Sequence, residues 1–202
     1  MSVSICEFYY DFSSPFAYLG ASQVERVCEG HAVVWKPFLL GALFNEIGTP
    51  TVPISTFAPA KAQLAIKDQY RWAEHWDVAF EFPTEFPQKS VTALRLALQA
   101  PEEARGALSM SLFELMWVNK GSLNDQEALT RVLDKHGFDA PAMLAGTQDP
   151  AVKEQLKANT SEAVARGICG APSFVVGELV FWGQDRFEFV KKALDGWEPR
   201  HG

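Results

Sequence analysis

The stretch Phe8-Tyr9-Tyr10-Asp11-Phe12-Ser13-Ser14-Pro15-Phe16-Ala17-Tyr18-Leu19 begins as a strand and turns into a helix. Upstream of the change, Val3, Ile5, Phe8 and Tyr10 are β-branched and aromatic side chains that suit a buried strand. At the change, Ser13 or Ser14 can cap a helix N-terminus, because a seryl oxygen accepts from the first free amides. Pro15 suits the first helical position, where its missing N–H is not needed. The hinge therefore presents a hydroxyl, Ser14, at the positive end of a helix dipole, where an anion is stable.

Working outward, Pro15 to Glu29 reads as a helix with Phe16, Leu19, Val24 and Val27 on its apolar face and Gly30 as its stop. His31 to Phe38 is a second strand centred on Val33, Val34 and Trp35, and parallel pairing with the first strand gives a right-handed βαβ unit. Gly41 to Pro59 contains Gly48, Pro50, Pro53 and Pro59, which predicts a loop after at most a short helical turn. Helices are predicted over Ala60–Asp77, Ser90–Gln99, Pro101–Asn119, Asp125–Lys135 and Asp149–Arg166. Strand character returns at Ser173–Val176 and Leu179–Trp182, joined by the two-residue hairpin signal Gly177-Glu178, and Asp185–Leu194 closes the chain as a helix. The order β-α-β, helical block, α-β-β-α is of the α/β class, that of a thioredoxin-like fold with an all-helical insertion. The expected division is residues 1–47 and 150–202 for the thioredoxin-like domain and 48–149 for the insertion.

The composition bounds the partners. The 202 residues are 48% hydrophobic and carry a net charge of −7, which counts against nucleic acid or an anionic membrane as the main partner. No apolar run is long enough to span a bilayer, and the opening Met1–Glu7 has neither a basic nor an apolar signal region, so a cytoplasmic location is expected. Cys6, Cys28 and Cys169 have no Cys-x-x-Cys or metal spacing and read as free thiols. His31, His75, His136 and His201 form no metal or triad pattern, so no metal centre is expected.

Three motifs fall where this fold gathers its chemistry. Ser14-Pro15-Phe16-Ala17 stands where dithiol oxidoreductases of the fold carry Cys-x-x-Cys; with no sulfur at either position, thiol–disulfide exchange is excluded there. Gly170-Ala171-Pro172 lies just ahead of the third strand. Trp182-Gly183-Gln184-Asp185-Arg186 lies where the last strand enters the last helix; the helix N-terminus can bind a carboxylate and Asp185 can accept from an amine.

These motifs, together with Arg71-Trp72-Ala73 in the helical block, make the sequence resemble 2-hydroxychromene-2-carboxylate isomerases and the related kappa-class glutathione transferases, within the DsbA-like group, over nearly the whole chain. The resemblance implies a cis bond at Pro172, whose neighbouring amide and carbonyl can pair with an extended peptide as a short added strand. With a thiolate position at one end and an amino-acid clamp at the other, the implied cofactor is glutathione. Ser14 would hydrogen-bond the glutathione sulfur and stabilise the thiolate, with Pro15 and Phe16 beside it. Ala171, next to Pro172, would clamp the cysteinyl backbone, and Gln184 and Asp185 would hold the γ-glutamyl end. An Asn that the family often supplies from the loop after the second strand aligns with Thr49, which can donate a hydrogen bond instead. The implied activity is isomerisation of a hydrophobic aromatic or conjugated compound that carries a carboxylate, with kappa-type conjugation and DsbA-like thiol–disulfide exchange as alternatives. A homodimer is also implied.

Plainer readings stand beside these. Ser14-Pro15 and Asp185 can be helix caps only, and Pro172 can be a trans turn proline. Arg186 can be solvated or ion-paired. Cys169 reads as a small buried side chain and Cys6 and Cys28 as core. Arg71-Trp72 reads as helix packing, with the arginine able to steer an anion. Phe44, Phe57, Trp72, Trp76, Phe80, Phe82 and Phe86 are core by default, some of them lining an acceptor site.

Overall fold

The computed structural model describes residues 3–200; His201 and the outermost ends of the expected domain division lie outside them. Strand β1 (Ile5–Tyr10) is the centre. It pairs in parallel with β2 (Ala32–Pro37) on one side and antiparallel with β3 (Ser173–Val176) on the other. Strand β4 (Leu179–Trp182) pairs antiparallel with β3, which gives the sheet order β2-β1-β3-β4. The hairpin turns at Gly177, whose φ of +59° is a conformation that glycine adopts without strain.

Phe8, Tyr9 and Tyr10 are consecutive and all fully buried. Since alternate side chains of a strand point to opposite faces, both faces of the sheet must be covered. On one face Phe8 stacks on Tyr10 and Phe174, and meets Trp35 edge-on. Helix α1 (Pro15–Val27), the later helix α5 (Glu102–Trp117) and the final helix α9 (Phe187–Leu194) supply that side, with Ser109 Oγ 2.6 Å from Tyr10 Oη and Phe187 packed on Phe174. On the other face α8 (Pro150–Ala165) lies over Tyr9 and is tied down by charge. Lys36 bridges Glu7 and Glu162, and Arg166 pairs with the same two carboxylates.

The remaining helices are α2 (Leu40–Glu46), α3 (Pro59–His75), α4 (Val91–Gln99), α6 (Gln126–Lys135) and α7 (Ala140–Gly146). Two of these correct the sequence reading. Helix α2 spans seven residues where a loop after at most a short turn is predicted. Its cap residue Leu39 has no capping side chain; the missing acceptor comes from Asp11, whose Oδ2 takes the Leu40 N–H at 2.8 Å. Helix α7 is not predicted at all, although Asp139 caps it through the Ala142 amide and Pro141 sits in its first turn.

Three further expectations are corrected. Val3 and Ile5, read as suiting a buried strand, are exposed, Ile5 by 53%; they lie at the open start of β1, before the helices cover it. Cys169 is exposed, because it sits in the turn between α8 and β3 while its neighbours Ile168 and Gly170 point inward. The closing helix begins at Phe187 rather than at Asp185, which lies in a short 3-10 turn, Gln184–Arg186.

Candidate active site

Ser14 occupies the N-cap of α1 with an extended backbone (φ −96°, ψ 118°). Its Oγ accepts from the Ala17 amide at 3.2 Å and donates to the Ala171 carbonyl at 2.9 Å. Only 6% of the residue is exposed. The Ala171–Pro172 bond is cis, as the resemblance implies. Gly20 lets α1 come this close: a Cβ added there would lie 3.2 Å from Pro172 Cγ.

Asp11 holds the hinge from behind. It is 1% exposed; Oδ1 accepts from the Ser13 amide and hydroxyl, both at 2.9 Å, and its backbone carbonyl accepts the Ser14 N–H at 3.1 Å. Burial pushes its carboxyl up from the usual range, and the donors from Ser13 and Leu40 pull it back. One carboxylate thus fixes the start of both α1 and α2.

In front of Ser14 a cavity of about 250 Å³ opens. Ser13, Ser14, Pro15 and Phe16 form one wall, and Gly170, Ala171 and Trp182 another. Trp182 is 58% exposed, and its indole lies over Gly170, where an added Cβ would be 2.5 Å from Nε1. The remaining walls are Leu40 and Phe44 of α2, Thr51 to Ile54, Phe57, Ala65 and Gln69 of α3, and the Phe82–Pro87 connection, whose Phe86–Pro87 bond is also cis. The surface is therefore aromatic and aliphatic, with hydroxyls at the Ser14 end.

The third motif is coupled to the second through its backbone. Gly183 donates its N–H to the Pro172 carbonyl at 3.0 Å, and its φ of +110° requires glycine. Gln184 is buried, while the Asp185 carboxylate is partly exposed and pairs with Arg186 at 2.7 Å. Asp185 accepts from no amide of α9 and is not its cap.

Of the residues singled out from sequence, Ser14, Pro15, Phe16 and Ala171 meet at the cavity, with Pro172 directly behind them. Gln184 and Asp185 lie beyond its wall. Thr49 bonds its amide to the Phe44 carbonyl and does not line the cavity; Thr51, two residues on, does. Arg71 pairs with Asp68 on the open side of α3 and is not part of the wall. Asp11, Thr51 and Gln69 are the residues that the sequence reading passed over. Asp11 leaves a signal, an acidic residue inside an aromatic run; the other two leave none. No cluster of His, Cys, Asp and Glu among the described residues could hold a metal, and no helix of the described residues is long and apolar enough to cross a membrane.

Residues 5–195 match the family model of the DSBA-like thioredoxin domain. The chain belongs to the DSBA-like thioredoxin family. Within it, the chain is 25% identical over 196 residues to the 2-hydroxychromene-2-carboxylate isomerase of Sphingobium xenophagum, covering 93% of this chain and 96% of the relative. It is also 25% identical to Homo sapiens glutathione S-transferase kappa 1, over 93% of this chain and 89% of that one. The solved structure of a 2-hydroxychromene-2-carboxylate isomerase superposes with a TM-score of 0.83 at 23% identity, covering 95% and 94% of the two chains, which establishes the fold. These full-length relatives are enzymes. This DSBA-like chain has Ser14 and Ala17 at the start of α1 and no Cys-x-x-Cys in its sequence.

Proposed function

We propose that this protein is a glutathione-dependent isomerase of the 2-hydroxychromene-2-carboxylate type. The observation that carries the reading is Ser14: a buried hydroxyl on the N-terminus of α1, held against the carbonyl of the cis-proline bend and facing an apolar cavity. The donor set suits a thiol-bearing tripeptide, with a hydroxyl and helix amides for sulfur, a bent backbone for peptide groups, and a carboxylate for an amine. When bound, glutathione supplies a thiolate that adds reversibly to a conjugated substrate.

The chain's own part is to favour that thiolate and to keep water from the reacting carbons. Ser14 exchanges its bond to Ala171 for one to sulfur by turning its hydroxyl, while the amides behind it keep the helix dipole aimed at the charge. Ala171 offers its backbone to the cysteinyl residue. Asp185 receives the γ-amine by giving up part of its contact with Arg186, an exposed pair that costs little to loosen. Gln184 steadies that turn from inside, and Thr51 rather than Thr49 is the hydroxyl of this loop that lines the cavity. The aromatic walls hold a flat conjugated substrate near the thiolate. The family resemblance extends the reading to a cytoplasmic homodimer.

The test is to follow glutathione and a hydroxychromene carboxylate together. Interconversion without net loss of glutathione supports the isomerase; stoichiometric loss assigns the protein to kappa-type conjugation, which its relatives also include. Reduction of insulin disulfides would overturn both.

A further inference from the structure

Gln69 is the anomaly in the cavity wall. It projects from the second half of α3 and is 4% exposed, and its Oε1 is buried without a hydrogen-bond partner. Leaving a buried amide oxygen unpaired is unfavourable, and a core position on a helix is filled at lower cost by Leu or Met. The same cavity is lined by Phe16, Phe57, Phe82 and Phe86, and none of the described lining residues is Lys, Arg, His, Asp or Glu. An ionised group entering this space away from Ser14 and the α1 N-terminus would lose its water and meet no counter-charge.

We propose that Gln69 is a specificity-determining residue that accepts a hydrogen bond from a neutral hydroxyl on the aromatic end of the substrate, and that any carboxylate of the substrate remains outside the cavity. A hydroxyl is the group that suits an amide best here. It donates to Oε1, and it accepts from Nε2 if the amide turns over; a carbonyl or an ammonium satisfies only one of the two orientations. The inference rests on the proposed function and orients its substrate. When a 2-hydroxychromene ring opens, the bond between C2 and the ring oxygen breaks. The C2 hydroxyl gives up its proton as C2 becomes a ketone, and the ring oxygen takes a proton and becomes a phenol. That phenol is the hydroxyl that Gln69 reads, while the keto acid end faces water.

Equilibrium binding of inert probes tests this apart from any thiolate chemistry. Affinities of 2-naphthol, 2-methylnaphthalene and 2-naphthoate are measured by calorimetry for the wild-type chain and for Gln69→Leu. The ratio of naphthol to methylnaphthalene affinity is expected to fall about tenfold in the variant, the size of one buried hydrogen bond. The variant is expected to melt no lower than wild type, as removal of an unpaired polar group predicts. An unchanged ratio, a lower melting temperature, or wild-type affinity for naphthoate equal to that for naphthol overturns the proposal. The thiolate role is read separately, from the absorbance of bound glutathione, so either reading can fail while the other stands.

Discussion

The hydroxyl of Ser14 donates to the carbonyl of Ala171 at 2.9 Å, across 157 positions of sequence. This bond joins the start of α1 to the cis-proline bend and so brings the two halves of the fold together at the cavity. Replacing Ser14 by Ala removes it, along with the cap on the Ala17 amide. Loss of the cap costs about 1 kcal/mol. Ser14→Ala is therefore expected to fold, to melt a few degrees lower and to lose the ultraviolet thiolate absorbance of bound glutathione. Unchanged absorbance would remove Ser14 from the chemistry and leave it a cap.

Asp11 serves both helices that frame the cavity, so its loss should be felt at both. Asp11→Ala leaves the Ser13 and Leu40 amides without their acceptor. An unsatisfied buried donor costs about 1–3 kcal/mol, which makes this the most damaging single polar change at the site. Asp11→Asn keeps one acceptor oxygen but turns an NH₂ group towards the other donor, and an intermediate loss is expected. Urea midpoints measure the order, and hydrogen exchange at Leu40 and its neighbours should show α2 opening first. Equal stability of Asp11→Asn and wild type would contradict the two-sided role.

Gly20 separates packing from helix propensity. Alanine in mid-helix is worth about 1 kcal/mol over glycine. Here the new Cβ would meet Pro172 Cγ at 3.2 Å and Phe174 Cζ at 3.4 Å. Pro172 belongs to a bend pinned by the Gly183 amide and yields poorly. Gly20→Ala is expected to change stability by less than about 1 kcal/mol, the two effects offsetting. It should nevertheless lower turnover, because α1 moves off the bend and Ser14 moves with it. Gly20→Val should destabilise outright. Full turnover in Gly20→Ala would show that the bend accommodates the shift.

The architecture was legible because its signals are local. The aromatic run of β1, the Ser14-Pro15 start of α1 and the Gly177-Glu178 hairpin each write a structural choice into a few adjacent residues. Helix α2 was not legible, since its cap comes from Asp11, 29 residues upstream of Leu40. The same contrast divides the site. Ser14 and Ala171-Pro172 sit in short motifs, whereas Gln69 lies in a helix of ordinary polar composition, and its burial follows only from how α3 packs against α1. Thr49 and Thr51 differ by two positions in a loop rich in proline, where sequence spacing does not fix which hydroxyl faces inward. Cys169 was misplaced for a related reason: a small apolar-like residue in a turn points either way, and the buried neighbours Ile168 and Gly170 take the inward places.

That exposure makes the cysteines distinguishable. Cys6 and Cys28 are buried; contact with Cys28, and burial, push the Cys6 thiol far above its usual range. Cys169 is open to solvent, though partial burial raises its thiol as well. Titration of the native protein with a thiol reagent should therefore label one cysteine of three, with a rate that keeps rising above the usual thiol range near pH 8.5 (about 8.5). Labelling of the other two should require denaturant. Rapid labelling of three thiols in the folded protein would contradict the burial of β1.

The charge network under α8 gives a stability effect with a defined sign. Burial pushes the Glu162 carboxyl up, but Lys36, Tyr9 and Arg166 outweigh it and hold the group below its usual range. A carboxylate whose folded pKa is depressed adds stability above its unfolded value, about 4.3, and loses it as pH falls through the folded one. Asp11 has a raised carboxyl and works in the opposite sense, so the wild-type curve alone mixes the two. The difference in unfolding free energy between wild type and Glu162→Gln isolates the network. It should be constant from neutral pH down to the ordinary carboxylate range and shrink below it. One third of the Glu162 side chain is exposed, at 33%, so water screens the pairs and the plateau should be under about 1 kcal/mol. Lys36→Met should reduce that plateau, because the carboxylate then keeps only Arg166 as its cationic partner. A difference that grows as pH falls would reverse the sign and rule out the network as the tie between α8 and the sheet.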